Sequence, residues 1–280
     1  MHNIDAKTTY PIVPPTNPAT ITYATWSPTG HAIAFVNNND LYVLPSAESV
    51  RFLPLSSSHL ICLSRPDTVP IQVTTAGNAS LFHGVPDWVY EEEIFSADFA
   101  LWWSPDSSKV AFLAFDETAV NEFTFPIYNP TDDAATINPY TTEMTMKYPK
   151  PGYNNPLVSV HVFDLAMYET QNGGSTNGFP LPDETLTLDW DDRHPVEDSV
   201  IKEVAWVGNS SLIVKEVNRN ADDGSVILFD LNAADVQTRA LGKVVRKLGK
   251  HGEEGDDGWI DEVCVVSSLV NIRWLILVFS

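Results

Sequence analysis

The chain has 280 residues, 44% of them hydrophobic, which is enough to bury a core in one large all-β domain or in two smaller domains. Its formal net charge is −21, and so acidic a surface repels phosphate and argues against nucleic acid as a partner. The two cysteines, Cys62 and Cys264, are far apart and form no CxxC or Cys/His metal spacing, so neither a disulfide scaffold nor a metal or other cofactor is expected.

In chain order, Met1–Tyr10 has no basic n-region and no apolar h-region, and so does not read as a signal peptide. The first regular element begins at Ala24-Thr25-Trp26-Ser27-Pro28-Thr29-Gly30, followed by Ala32–Val36, by Asn38-Asn39-Asp40 and by Leu41–Leu44. This predicts strand, Pro turn, strand, Asn/Asp turn, strand. The same unit returns at Leu101-Trp102-Trp103-Ser104-Pro105-Asp106 with Lys109–Leu113. A degenerate copy stands at Val204-Ala205-Trp206-Val207-Gly208-Asn209 with Ser211–Lys215. Further apolar strands follow these copies, at Val158–Phe163 and Val226–Phe229.

Repeated Trp–turn–strand units point to the blades of a β-propeller, against the alternative of a β-sandwich with coincidental Trp turns. The intervals from Trp26 to Trp103 and from Trp103 to Trp206 exceed the roughly 40–45 residues of a regular blade, so loops or extra elements must lie between strands. Two segments fit no blade. Arg51–Arg65 is expected to interrupt a blade-to-blade connection. The tail after Glu262, 263–280, is apolar but carries Arg273, whose charge argues against a membrane span. Both read as translated intron, against the alternative of a real loop insertion and a real terminal strand pair. The sequons Asn78-Ala79-Ser80 and Asn209-Ser210-Ser211 make Asn78 and Asn209 candidate glycosylation sites.

The densest chemistry is Asp87-Trp88-Val89-Tyr90-Glu91-Glu92-Glu93-Ile94-Phe95-Ser96. Three glutamates in a row are usually a solvated helix face. Here Trp88, Val89 and Tyr90 precede them and Ile94 and Phe95 follow, which places the acids at the edge of a packed surface, directed at something positive. Neighbouring carboxylates repel one another, and an ammonium between them removes that penalty with charge-assisted hydrogen bonds. Acid/base catalysis is the other use of paired carboxylates. It suits adjacent helical residues less well, because their side chains diverge. His161 sits inside an apolar strand and reads as a structural histidine. No G-x-S-x-G nucleophile elbow is present, and Gly173-Gly174-Ser175-Thr176-Asn177-Gly178 lacks Gly at the required place.

The stretch His83–Phe112, HGVPDWVYEEEIFSADFALWWSPDSSKVAF, resembles the signature region of the dipeptidyl peptidase IV family. Met146–Leu165, MKYPKPGYNNPLVSVHVFDL, is similar to its fungal members in particular. The resemblance implies an all-β fold, a partial propeller of about four blades out of eight over residues 1–262, with the family's α/β-hydrolase domain absent. It implies that Glu92 and Glu93 are the double glutamate that grips a substrate's free amino terminus, with Glu91 as the flanking acid. The family's propeller arginine for the substrate carbonyl finds no counterpart here. The family removes N-terminal X-Pro or X-Ala dipeptides with a serine nucleophile, so this chain is expected to supply recognition without bond breaking, and to be inactive alone. Secretory, vacuolar-membrane or secreted localisation and a tendency to homodimerise are implied in the same way. The rival expectation is a non-catalytic propeller used as a protein-binding module.

Overall fold

The computed structural model describes residues 18–45, 69–131, 133, 135–171, 185–232, 239–252 and 258–260, together with the backbone of four short strands at 2–3, 8–9, 51–52 and 62–63. The first of these, β1 (His2–Asn3) and β2 (Thr8–Thr9), pair with each other. Then β3 (Ile21–Trp26), β4 (Ile33–Asn37) and β5 (Asp40–Leu44) form an antiparallel meander. Asn38 and Asn39, both at positive φ, make the two-residue turn that joins β4 to β5, a conformation Asn tolerates better than most residues. The strands β6 (Arg51–Phe52) and β7 (Cys62–Leu63) pair with each other, and β8 (Ile71–Gln72) returns to β5. The 51–65 segment therefore falls between the third and fourth strands of one sheet, and not between two sheets as the sequence pattern had suggested. The residues within it other than 51–52 and 62–63 lie outside the described set, as does the 263–280 tail.

A second sheet is built from β9 (Leu81–His83), β10 (Leu101–Trp103), β11 (Lys109–Asp116), β14 (Leu157–Asp164) and β15 (Thr185–Trp190). Between β11 and β14 the chain makes a separate antiparallel hairpin, β12 (Glu122–Ile127) with β13 (Thr142–Lys147), whose far end exposes Tyr128, Ile137 and Tyr140. A short helix α1 (Leu165–Gln171) follows β14. The third sheet runs β16 (Ser199–Trp206), β17 (Ser211–Asn218), β18 (Asp223–Asp230), β19 (Arg239–Gly249), all antiparallel. With β9 and β10 sharing one edge of β11 and counted as one position, the three sheets β3-β4-β5-β8, β9/β10-β11-β14-β15 and β16-β17-β18-β19 are four strands wide, and are blades I, II and III. The last strands of blades II and III also pair, in parallel, from Thr187↔Arg239 to Trp190↔Gly242.

The Ser-Pro turns have a common local cause. In blade I the Ser27 hydroxyl accepts the Ala32 N–H at 3.1 Å. In blade II the Ser104 hydroxyl accepts the Lys109 N–H at 2.9 Å and donates to Asp106 Oδ1 at 2.7 Å. Each buried serine thus closes the hairpin between the first and second strands by giving an N–H at the start of the second strand its acceptor. The two turns touch: the Thr29 N–H donates to Ser107 Oγ at 3.0 Å.

Blade II is buried on both faces, with period-two alternation along β11. Val110 and Phe112 join Ala34, Val36, Leu41 and Val43 of blade I in one cluster. Ala111, Leu113 and Phe115 join Ile201, Val204, Leu212, Val214, Ile227 and Phe229 of blade III in another. Face-to-face packing of successive four-stranded sheets is the propeller arrangement that the repeated Trp turns predicted.

A polar tie crosses the joint between blades II and III. Glu216 of β17 is 0% exposed. Its Oε2 accepts the Trp190 indole N–H at 3.1 Å, and its Oε1 accepts the Ser199 hydroxyl at 2.7 Å and the His194 N–H at 3.1 Å. The Arg193 guanidinium lies over the Trp190 ring at 4.5 Å and donates to the Val158 carbonyl at 2.8 Å. Trp190, Arg193 and His194 belong to the end of blade II, whereas Ser199 and Glu216 belong to blade III. The carboxylate is thus satisfied by donors from both sides.

Candidate functional site

The acidic segment occupies a gap in the first strand of blade II. Both β9 and β10 pair with the same edge of β11, β9 opposite residues 114–116 and β10 opposite residues 110–112. Between them the chain leaves the sheet at Gly84 and rejoins it at Ala100. The Gly84 N–H donates to the Leu113 carbonyl at 2.9 Å, the Ala100 N–H to the Gly84 carbonyl at 2.9 Å, and the Leu113 N–H to the Ala100 carbonyl at 3.0 Å. Gly84 has φ +79°, and a Cβ there would come within 3.2 Å of Leu101 and 3.3 Å of Val36, so the exit point needs glycine for both reasons.

Inside the loop, the buried Asp87 starts a helical turn. Its carboxylate accepts the N–H groups of Val89 at 3.1 Å and Tyr90 at 3.3 Å, and its carbonyl accepts that of Glu91 at 2.9 Å. The turn continues as a π-helix, Tyr90–Phe95, a rare form that recurs at functional sites. Ser96, at φ 49° and ψ 41°, ends it in the left-handed region.

The apolar side chains of this helix face the protein. Trp88 packs on Tyr148 at the base of the hairpin, with ring centroids 4.6 Å apart. Tyr90, 2% exposed, lies against Phe95 at 5.4 Å and edge-on to Phe115 at 4.8 Å. Its hydroxyl accepts the Ile201 N–H of blade III at 3.1 Å. Phe95 stands edge-on to Trp102. Glu91, Glu92 and Glu93 are all exposed, in the first turn, where the helix N-terminus favours negative charge.

Beneath the helix is a second acidic layer. Burial pushes the Asp87 carboxyl up to about 6, against the pull of its backbone hydrogen bonds and with a smaller push from Glu91. Glu117, also buried, is pushed up to about 7 by burial and then by Asp87, with Lys147 pulling the other way. Burial likewise raises the Tyr90 phenol, which stays a neutral hydroxyl at all ordinary pH.

The other singled-out residues lie apart from this helix. Asn78 is exposed, with its Oδ1 accepting the Ser80 N–H at 2.8 Å, and Asn209 is exposed in the turn between β16 and β17. His161 is wedged between Ser159 and Thr187 and stacked on Phe112 at 5.3 Å. Burial, helped by His83 and Arg193, lowers it to about 4, the state of a neutral structural imidazole. The glycine loop at 173–178 and Cys264 fall outside the described residues. Among the described residues no group of His, Cys, Asp and Glu side chains could hold a metal ion, and no helix is long and apolar enough to cross a membrane. Sequence reasoning did not find the Tyr90–Ile201 bond or the Glu216 tie. Neither has a local signal, because their partners come from blades distant in sequence.

Three comparisons bear on this geometry. The family model described as the dipeptidyl peptidase IV (DPP IV) N-terminal region matches residues 1–270. "Probable dipeptidyl-aminopeptidase B" of Tuber melanosporum is 35% identical over 267 residues, covering 93% of this chain and 25% of that one. Dipeptidyl peptidase 4 of Trichophyton rubrum is 32% identical over 255 residues, covering 90% and 26%. Among solved structures, Porphyromonas gingivalis dipeptidyl peptidase 4 superposes with a TM-score of 0.57 at 24% identity, over 81% of this chain and 25% of that one. The chain thus spans about a quarter of the length of the relatives it matches.

Proposed function

The chain belongs to the dipeptidyl peptidase IV N-terminal region family, and from that premise we propose that it is the substrate-recognition segment of a serine-type dipeptidyl peptidase, in which Glu92 and Glu93 hold the free amino terminus of the peptide. The observation that carries this is the division of the 84–100 loop into an apolar back and an acidic front. Trp88, Tyr90 and Phe95 are used in packing, while the carboxylates of Glu91–Glu93 remain exposed. A solvated acidic run has no need of such a mount.

An ammonium group offers three donors, which suits two carboxylates. Fixing the amino terminus sets how far the chain extends to the scissile bond, so register follows from the length of a dipeptide. This is positioning rather than bond chemistry. The serine nucleophile, its base and the oxyanion donors are assigned to another part of the longer protein, and X-Pro and X-Ala peptides are the proposed substrates. Passage through the secretory pathway is proposed on the same ground, with Asn78 and Asn209 as exposed acceptors for glycans.

The test is Glu92→Ala and Glu93→Ala in the full-length protein. A hydrogen bond to a charged group is worth about 1.5–3 kcal/mol, so kcat/KM for free-amine dipeptides should fall at least about tenfold with the fold retained. Substrates with an acetylated amino terminus should be affected less. Unchanged kcat/KM in well-folded variants refutes the assignment.

A further inference from the structure

The glutamate helix is mounted in three ways that differ in kind. The loop that carries it is closed onto blade II at Gly84 and Ala100. Trp88 meets Tyr148 by ring packing, as Phe95 meets Trp102. Ring contacts of this type tolerate sliding and tilting. Tyr90 makes the one directional bond among these side chains, accepting the Ile201 N–H at 3.1 Å across 111 residues of sequence.

The acceptor and donor are both built for this bond. Tyr90 is 2% exposed, and its ring is fixed between Phe95 and Phe115. Ile201 sits at an irregularity in β16, where the pairing steps from Ile201↔Glu216 to Glu203↔Lys215 and leaves Lys202 as the extra residue. A bulge re-aims the strand locally. Among the described residues β16 is the end strand of its sheet and its other edge pairs with no strand, and the Ile201 N–H is met by the tyrosine hydroxyl. Further along β16 the Trp206 indole N–H donates to the Trp102 carbonyl at 2.9 Å. That bond sets β16 against β10, so the point to which Tyr90 is tied is itself fixed relative to blade II.

We propose that Tyr90 is the positioning residue of the acidic pair, setting the rotation of the helix, and hence the direction of Glu92 and Glu93, by reference to blade III. The proposal rests on the anchoring role given to those glutamates above. Tyr90 immediately precedes Glu91, so a turn of the helix about its axis moves the tyrosine hydroxyl and the carboxylates together. Without the hydroxyl the helix keeps its packing and loses its angular reference. The specific loss is then discrimination in favour of a cation, because carboxylates turned away from the bound ammonium no longer meet its donors.

The experiment is Tyr90→Phe in the full-length protein, which keeps the ring contacts and removes the acceptor. The readout is the ratio of inhibition constants for a dipeptide inhibitor with a free amine and its desamino analogue. A merely structural role would lower stability or active fraction and leave that ratio alone. The ratio is expected to fall about five- to tenfold, the size of one hydrogen bond. An unchanged ratio overturns the proposal, and Glu92→Gln measured alongside shows how far the damage extends. If Glu92→Gln loses the ratio, only the role of Tyr90 is refuted. If it does not, the anchoring reading fails with it. Should Tyr90→Phe not fold, hydrogen exchange at the Ile201 amide of the unaltered protein decides. The free-amine inhibitor should slow that amide and the desamino analogue should not, as reciprocal coupling requires. Equal effects of the two overturn the proposal.

Discussion

Replacing Glu216 by Gln tests whether the joint between blades II and III is held by a carboxylate or only by packing. The carboxylate meets three donors: the Trp190 indole on Oε2, and the Ser199 hydroxyl and His194 N–H on Oε1. An amide has one oxygen and one NH2. Its better orientation keeps the oxygen toward Ser199 and His194 and turns the NH2 against the Trp190 N–H, donor against donor. One buried donor is then unsatisfied, which costs about 1–3 kcal/mol, and the two remaining bonds lose their charge assistance. Glu216→Ala unsatisfies all three and should cost about 3–5 kcal/mol, the range for removing one side of a buried charged network. The assay is urea unfolding of the full-length protein, followed by tryptophan fluorescence, with hydrogen exchange of residues 185–218 as the local readout. The expected order is parent, Gln, then Ala, with protection lost first around Trp190 and Ser199. A Gln variant within about 0.5 kcal/mol of the parent would refute the reasoning, since that is the scatter of substitutions that touch nothing important.

Two further outcomes follow from the loop. Asp87 and Glu117 have folded-state values of about 6 and about 7, above their ordinary carboxylate values, so folding favours their protonated forms. Their contribution is therefore fully present below the ordinary values of 3.8 and 4.5 and is lost progressively as pH rises from there through about 6 for Asp87 and about 7 for Glu117. Stability measured by urea should decline over that window, and Asp87→Asn with Glu117→Gln should flatten the decline; an unaltered slope would contradict it. Gly84→Ala places a side chain at φ +79° with contacts of 3.2 and 3.3 Å, and should cost about 1–3 kcal/mol in the same measurement, whereas a neutral substitution would show that the loop exit is free to shift.

What the sequence made legible is what has a short period. Trp26-Ser27-Pro28 and Trp103-Ser104-Pro105 marked hairpins because a buried serine closing a turn next to proline is a local device. The acidic run stood out because Trp88, Tyr90 and Phe95 surround it, and the structure places those rings inward and the three acids outward. His161 read as structural from its apolar strand, and it is wedged between hydroxyls on a phenylalanine. The excess length between Trp103 and Trp206 was visible, but its form was not. Part of it is the β12–β13 hairpin, whose alternation is weak because most of β13 is exposed. The split of the first strand of blade II into β9 and β10 was hidden for another reason. Leu81–His83 and Leu101–Trp103 are too short to declare themselves, and only their shared partner β11 shows them to be one edge. The position of 51–65 within a blade likewise depended on β8, two residues whose pairing with β5 no sequence pattern announces.

The parallel pairing of β15 with β19 bears on how such a chain can change over generations. Repeated units are gained and lost most easily when each contacts its neighbours only through side chains, because a copy can then be added or excised without tearing a backbone ladder. Here Thr187–Trp190 and Arg239–Gly242 are joined main chain to main chain. Excising either blade would strip a hydrogen-bonded edge from the other, and an unpaired edge invites association with other chains. At this joint the smallest unit whose removal leaves neither partner of the β15–β19 ladder behind is accordingly the pair of blades.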